Sequence, residues 1–205
     1  MTASIYHQRH SGELHERLQA TSHLRVNVGS GDWPLAYWVN IDSNPSKPAD
    51  VHASVPPLPY PDDCLLEIYA GHFLEHLAFE DGATFLRECY RCLQPGGRLG
   101  VVVPDTRLIM TRYLRGEVDH VGLLTDDGTI GYWPIADLDA VCAVFLFSVV
   151  QESRHLWAYD ARTLRAAGER AGFEWVGEID RYTDPRVSTG QWYQVGADFR
   201  KPGGQ

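Results

Sequence analysis

Leu24-Arg25-Val26-Asn27-Val28-Gly29-Ser30-Gly31-Asp32 runs a short apolar strand into a Gly-x-Gly turn. After a short link comes a second strand, Tyr37-Trp38-Val39-Asn40-Ile41, ending on Asp42. A strand that stops at a glycine turn presents backbone N–H groups above its C-terminal end. Two residues without a Cβ let a ligand come close to that backbone. An acid ending the neighbouring strand is placed to accept hydrogen bonds from ribose hydroxyls. Gly29, Gly31 and Asp42 therefore point to a nucleoside-containing cofactor. A plain tight turn is the competing reading of Gly-x-Gly alone, and Asp42 favours the cofactor over it.

The kind of nucleoside follows from what is missing. A dinucleotide fingerprint needs a third glycine three residues after the second. That position is Pro34, which has no N–H and cannot give the close helix–strand approach. A nicotinamide oxidoreductase is disfavoured on this ground. No Gly-Lys-Ser/Thr follows, so a Walker-type loop fails as well. A cofactor with a ribose and no phosphate remains.

Further blocks follow in order: Asn40-Ile41-Asp42, Pro57-Leu58-Pro59-Tyr60-Pro61-Asp62, Ile68-Tyr69-Ala70-Gly71-His72-Phe73-Leu74-Glu75-His76-Leu77 and Leu93-Gln94-Pro95-Gly96-Gly97-Arg98-Leu99. With the glycine turn, they resemble a class I S-adenosylmethionine-dependent methyltransferase, closest to small bacterial methyltransferases whose acceptors are mostly unassigned. The resemblance covers residues 24–104 strongly. It extends more weakly over 155–180, through His155-Leu156-Trp157-Ala158-Tyr159-Asp160 and Ala171-Gly172-Phe173. It implies S-adenosylmethionine as cofactor, held by Asn27, Gly29, Ser30, Gly31, Asp42, Ser43, Ser54, Gly71, His72 and His76. It also implies an α/β fold: a three-layer Rossmann-like sheet, mostly parallel with one antiparallel strand. Two positions depart from the family pattern. The acid that often opens the first motif is Asn27, which bonds the cofactor or its loop without adding charge. The acid that often holds the adenine amino group is replaced in His52-Ala53-Ser54, where Ser54 offers a weaker bond.

With 205 residues, the chain fits one domain with room for a sizeable core. The segments 1–23 and 106–154 read as an N-terminal extension and a lid-like insertion. A net charge of −9 disfavours a nucleic-acid partner held through phosphates. Met1 to Ala20 has no apolar core of a secretory signal. The apolar run Ala140–Val150 is too short to span a bilayer. Cytoplasmic location is the default expectation, and a homo-oligomer stays open. Cys89 and Cys92 form a C-x-x-C, but a zinc centre needs a second pair. They read as buried thiols, and no metal site is expected.

In chain order, Ser11 to Ala20 is expected as a helix and 24–28 as the first strand. Gly29 to Ala36 is unusually short for a parallel crossover, which normally takes a dozen or more residues. The usual first helix is expected to be a turn or missing. Strands are expected at Asp50–Ala53, Leu65–Ala70 and Arg98–Val103, and a helix over Phe79–Leu93. Pro56, Pro57, Pro59 and Pro61 stiffen a loop at the cofactor end. Leu108–Leu114 reads as helix, Gly116 to Pro134 as loop-rich, and Asp137–Val150 as an apolar helix. Asp160 N-caps a helix through Ala171, ended by Gly172. Phe173–Ile179 and Gln191–Phe199 form a hairpin, because the turn between them is too short for a helical crossover.

Methyl transfer from a sulfonium is an in-line displacement, served largely by positioning and exclusion of water. A base matters only where the acceptor keeps its proton. His72, Asp105 and His155 are the catalytic candidates, with His72 the first choice as base. A packing or capping role competes for each of them and for His76. Tyr113, Tyr132, Trp133 and Trp157 are the expected aromatic lining on the lid side. The acceptor, a small molecule or other compound, is not identified by the residues. The alternative function is a non-enzymatic S-adenosylmethionine-binding regulatory or assembly subunit.

Overall fold

A computed structural model describes residues 24–115, 120–124, 130–134, 155–179, 184 and 193–203. Among the described residues, nine strands run in chain order: β1 (Leu24–Val28), β2 (Val39–Asp42), β3 (Val51–His52), β4 (Leu65–Gly71), β5 (Leu93–Pro104), β6 (His120–Leu124), β7 (Ile130–Pro134), β8 (Glu174–Gly177) and β9 (Gln194–Arg200). Helices α1 (Phe79–Cys92), α2 (Thr106–Leu114) and α3 (Ala161–Arg170) lie between them. Seven strands form one sheet in the order β3-β2-β1-β4-β5-β9-β8. The pairings β1–β2, β1–β4, β2–β3 and β4–β5 are parallel. β9 runs antiparallel to both β5 and β8, as the short connection requires.

The order reverses direction at β1 and β4, which leave the centre toward opposite edges. That is the position where the C-terminal ends of parallel strands open a crevice. No helix crosses between β1 and β2: residues 29–38 are turns, bends and irregular backbone. Asn27 pairs with Asn40 across these strands, so two amides share one buried face of the sheet.

One main core lies between the sheet and helices α1 and α3. Val26, Val28, Ile41, Ile68, Leu99, Val101 and Val103 meet Phe85, Leu86, Cys89 and Leu164 there. Each large apolar side chain so buried contributes roughly 1.5–3 kcal/mol. A smaller cluster, Leu35, Tyr69 and Val102, gathers Trp38 and Ile179 against it. α3 starts on a reciprocal cap, in which Asp160 accepts from the Thr163 N–H and the Thr163 hydroxyl accepts from the Asp160 N–H. Arg91 fixes the proline loop to the last turn of α1. It forks onto Glu88 at 2.8 Å from Nε and from Nη2, and Nη1 donates to the Tyr60 carbonyl at 2.8 Å.

Several expected boundaries move. Tyr37 has φ +69° and is fully exposed, so it belongs to a turn and β2 begins at Val39. Leu93 already pairs with Leu65 and the register then shifts, so Pro95-Gly96-Gly97 forms an irregular start to β5. The stretch expected to be loop-rich contains the antiparallel pair β6–β7. Asp127-Gly128 between two apolar runs is a hairpin signal that the polar composition masked. The expected helices at 11–20 and 137–150 lie outside the described residues.

Candidate functional site

At the end of β1 the two glycines do different work. Gly29 has φ +66°, and a Cβ there would collide with the Phe73 ring, which follows β4. Gly31 has φ +53°, and a Cβ there would have nothing within 4 Å. The first glycine lets the β4 end close down, and the second leaves open space above the turn. The Gly31 N–H donates to Asp42 Oδ2 at 2.8 Å, and the Asn44 N–H donates to Oδ1 at 2.9 Å. Asp42 is thus held in place while its carboxylate keeps further acceptor sites. The turn is tied to β2 through Ser30 N–H to the Ile41 carbonyl at 3.0 Å.

Asn27 serves the loop. Its Nδ2 donates to the Trp33 carbonyl at 3.2 Å and to Asn40 Oδ1 at 3.0 Å. Asn40 is in turn anchored by Asp50, whose Oδ2 accepts from its backbone N–H and its Nδ2. Asn27 Oδ1 and the Ser30 hydroxyl are buried without a hydrogen-bond partner among the described residues. Buried polar atoms normally have partners. An open glycine, a held carboxylate and two orphaned oxygens at one strand end fit a ribose-bearing cofactor. Ser43 and Ser54 are exposed, on the loops after β2 and β3.

Beyond β4 the chain turns sharply. A Cβ on Gly71 would press on the Tyr69 hydroxyl and on Asp184, which are joined by a buried bond of 2.8 Å. His72 follows with φ +52°, an uncommon conformation for a residue with a side chain, and its N–H donates to the Val102 carbonyl at 2.8 Å. Its ring lies between two partners. Nδ1 is 3.2 Å from Glu75 Oε1 and Nε2 is 2.6 Å from Gln194 Oε1. Glu75 is 1% exposed. Burial pushes its carboxyl up, but the His72 hydrogen bond and the charges of His72, His76 and His155 outweigh that and leave it below its ordinary value of 4.5.

His76 and His155 meet edge to face at a centroid distance of 4.7 Å. His155 is brought there by the Leu156 and Trp157 N–H groups, which both donate to the Glu75 carbonyl. Asp105, after β5, accepts from the Leu108 N–H at 2.9 Å and so caps α2. Its backbone also bridges to Tyr159. Trp157 packs against Phe79 in a tilted arrangement at a centroid distance of 4.9 Å, and both remain substantially exposed. The side chains of Tyr113, Tyr132 and Trp133 lie outside the described residues. Cys89 and Cys92 are buried, and desolvation raises both thiols, Cys92 to about 12. Such thiols are not poised for redox work.

The fold thus brings Gly31 and Asp42 together, places Phe73 over Gly29, and gathers His72, Glu75, His76 and His155. Gln194 was missed by sequence reasoning, since nothing near it signals a partner for a histidine. Glu75 stood in view in His72-x-x-Glu75-His76, but only burial marks it as central.

A family model described as "Methyltransferase domain" matches residues 36–101, from the end of the β1–β2 link into β5. No curated protein matches the chain. Solved structures share the fold at low identity. An S-adenosylmethionine-dependent methyltransferase from Mesorhizobium loti aligns at 14% identity and TM-score 0.52, over 90% of this chain and 96% of its own. A methyltransferase dependent on the same cofactor from Archaeoglobus fulgidus aligns at 14% identity and TM-score 0.53, over 98% and 100%. The 1,6-didemethyltoxoflavin-N1-methyltransferase of Burkholderia thailandensis, solved with bound 1,6-didemethyltoxoflavin and S-adenosylhomocysteine, aligns at 13% identity and TM-score 0.50, over 95% and 77%. No helix among the described residues is long and apolar enough to cross a membrane. Over residues 36–101 the chain is thus similar to a methyltransferase domain, and its sheet shares the fold of S-adenosylmethionine-dependent methyltransferases.

Proposed function

We propose that the chain is an active methyltransferase that moves a methyl group from S-adenosylmethionine to an acceptor at the C-terminal edge of the sheet. The observation that carries this is the Asp42 carboxylate, fixed by Gly31 and Asn44 beside an open glycine turn. In this reading Asp42 takes the ribose hydroxyls, Gly29, Ser30, Gly31 and Asn27 line the turn, and Gly71, His72 and His76 border the methionine end. Ser43 and Ser54 contact the nucleoside from the two exposed loops. The cofactor, when bound, supplies an electrophilic methyl on sulfur. The chain's part is to hold the acceptor in line, exclude water and take a proton where the acceptor carries one.

His72 is the proposed base. Glu75 at Nδ1 favours the tautomer with its proton there, leaving the lone pair on Nε2. Nε2 lies 2.6 Å from Gln194 Oε1, an oxygen that cannot donate to that lone pair, so the base form requires the Gln194 amide to turn its nitrogen toward the ring or to give way to the acceptor. Asp105 and His155 stand on the acceptor side. A small-molecule acceptor suits the buried histidine group better than a polymer held through phosphates, given the net charge of −9. The test is titration calorimetry with S-adenosylhomocysteine and NAD, followed by radiolabelled methyl transfer to a panel of small acceptors. Binding of S-adenosylhomocysteine with turnover of an acceptor is the expected result. Binding without any turnover would favour the regulatory subunit instead.

A further inference from the structure

Glu75, His76 and His155 each offer one ligand atom, and these atoms lie within 4.8 Å of one another. Ligands of one ion bound at about 2.0–2.2 Å are separated by roughly 3–4.4 Å, so small side-chain adjustments bring the three into register. Glu75 Oε1 is engaged by His72, whereas Oε2 is buried with no hydrogen-bond partner among the described residues. A desolvated carboxylate oxygen without a partner is costly, and buried charges are normally paired or bound to a metal. Helical spacing does not explain the group, because Leu74–His76 is a single 3₁₀ turn and His155 enters from another connection.

We propose that Glu75 Oε2 and one ring nitrogen from each of His76 and His155 bind a divalent transition-metal ion. Two imidazoles and one carboxylate suit zinc, cobalt, manganese or iron better than magnesium or calcium, which prefer all-oxygen sets. The His72–Glu75 hydrogen bond then acts as an outer-shell contact that orients the carboxylate. The expectation of no metal, drawn from the cysteines, concerned a different set of residues. A ligated His155 has its lone pair on the ion, so it would hold the ion and not move a proton. Three protein ligands leave positions for water or for an oxygen of the acceptor. That last consequence rests on the methyl-transfer reading; binding of the ion does not.

The test uses the full-length chain without an affinity tag, with His7, His10, His15 and His23 replaced by Gln so that these cannot compete. After chelation and dialysis, Co2+ is titrated in and followed by its visible absorption, with Zn2+ and Mg2+ as competitors. Binding of one equivalent of Co2+, displaced by Zn2+ and not by Mg2+, is expected. X-ray absorption of the loaded protein should show two imidazoles in a nitrogen–oxygen shell. Glu75→Gln, His76→Gln and His155→Gln should each weaken binding at least about tenfold, and His72→Ala by roughly 10–100-fold, as loss of an outer-shell partner does. Circular dichroism identifies any variant that fails to fold, and the absorption spectrum of the unsubstituted site needs none of them. Absence of stoichiometric Co2+ binding, or binding unchanged in folded His76→Gln, overturns the proposal. Calorimetry with S-adenosylhomocysteine on the same preparation separates the two readings: cofactor without metal sinks only this one, and metal without cofactor sinks only the other.

Discussion

In the proposed function, Asp42 is the residue on which cofactor binding turns. Its two oxygens are already used to seat the Gly31 and Asn44 backbones. Removing it would therefore cost both the proposed ribose bonds and the shape of the turn. Asp42→Ala should weaken S-adenosylhomocysteine by roughly 1.5–3 kcal/mol, the worth of a bond to a charged group; calorimetry reads this directly, and unchanged affinity would remove the ribose assignment. His72 is the second such residue. It sits in a left-handed backbone conformation with both ring nitrogens engaged, an arrangement that the surrounding structure has to hold in place. His72→Ala should lower turnover by about 10²–10⁴-fold if it removes a positioned base, with the folded state retained. Equal turnover in wild type and variant would mean that positioning alone suffices.

At the scale of elements, α3 offers the clearest local test. Its cap is reciprocal, with the Thr163 N–H 2.6 Å from Asp160 Oδ1. Asp160→Ala should cost about 0.5–2 kcal/mol in denaturant unfolding. Burial pushes the Asp160 carboxyl up, and the Thr163 bonds with Arg107 and Arg162 pull it further down, so it ends below its ordinary value of 3.8. A carboxyl lowered by folding stabilises the protein above its unfolded value and loses that contribution as pH falls through the folded value. The gap in stability between wild type and Asp160→Ala should accordingly close on acidification below 3.8. A gap that stays constant in acid would show that the charge plays no part in the cap. The close approach of α3 to β9 gives a companion test. A Cβ on Gly168 would run into the Phe199 ring, so Gly168→Val should destabilise by about 1–3 kcal/mol through overpacking, read as a lowered midpoint of unfolding.

For the whole molecule, the cofactor edge joins segments far apart in the chain, so occupancy should stabilise the fold as a unit. S-adenosylhomocysteine at a hundred times its Kd should add about 2.7 kcal/mol, seen as a raised Tm, while NAD at equal concentration should not. A Tm that rises with NAD and not with S-adenosylhomocysteine would overturn the cofactor assignment.

What the sequence by itself determined lies mostly in short-range signals. Gly29-x-Gly31 followed by Asp42 marked the strand end where the turn opens, because glycine and a strand-end acid act within a few residues of each other. Asp160 and Gly172 bounded α3 for the same local reason. The short link after β1 excluded a crossover helix, and the short stretch before β9 required an antiparallel return, since chain length alone limits the geometry. Tertiary structure alone decided the histidine cluster. Glu75 and His155 are separated by α1, β5, α2 and the β6–β7 pair, and no periodicity links them. Whether a glutamate is solvated or 1% exposed depends on what packs over it. Gln194 became a partner of His72 only because β9 lies beside β5, two strands distant in the sheet order from β1 and its glycine turn. Burial and long-range juxtaposition are properties of the folded chain, and they are what turn Glu75 from an ordinary charged residue into the centre of the histidine cluster.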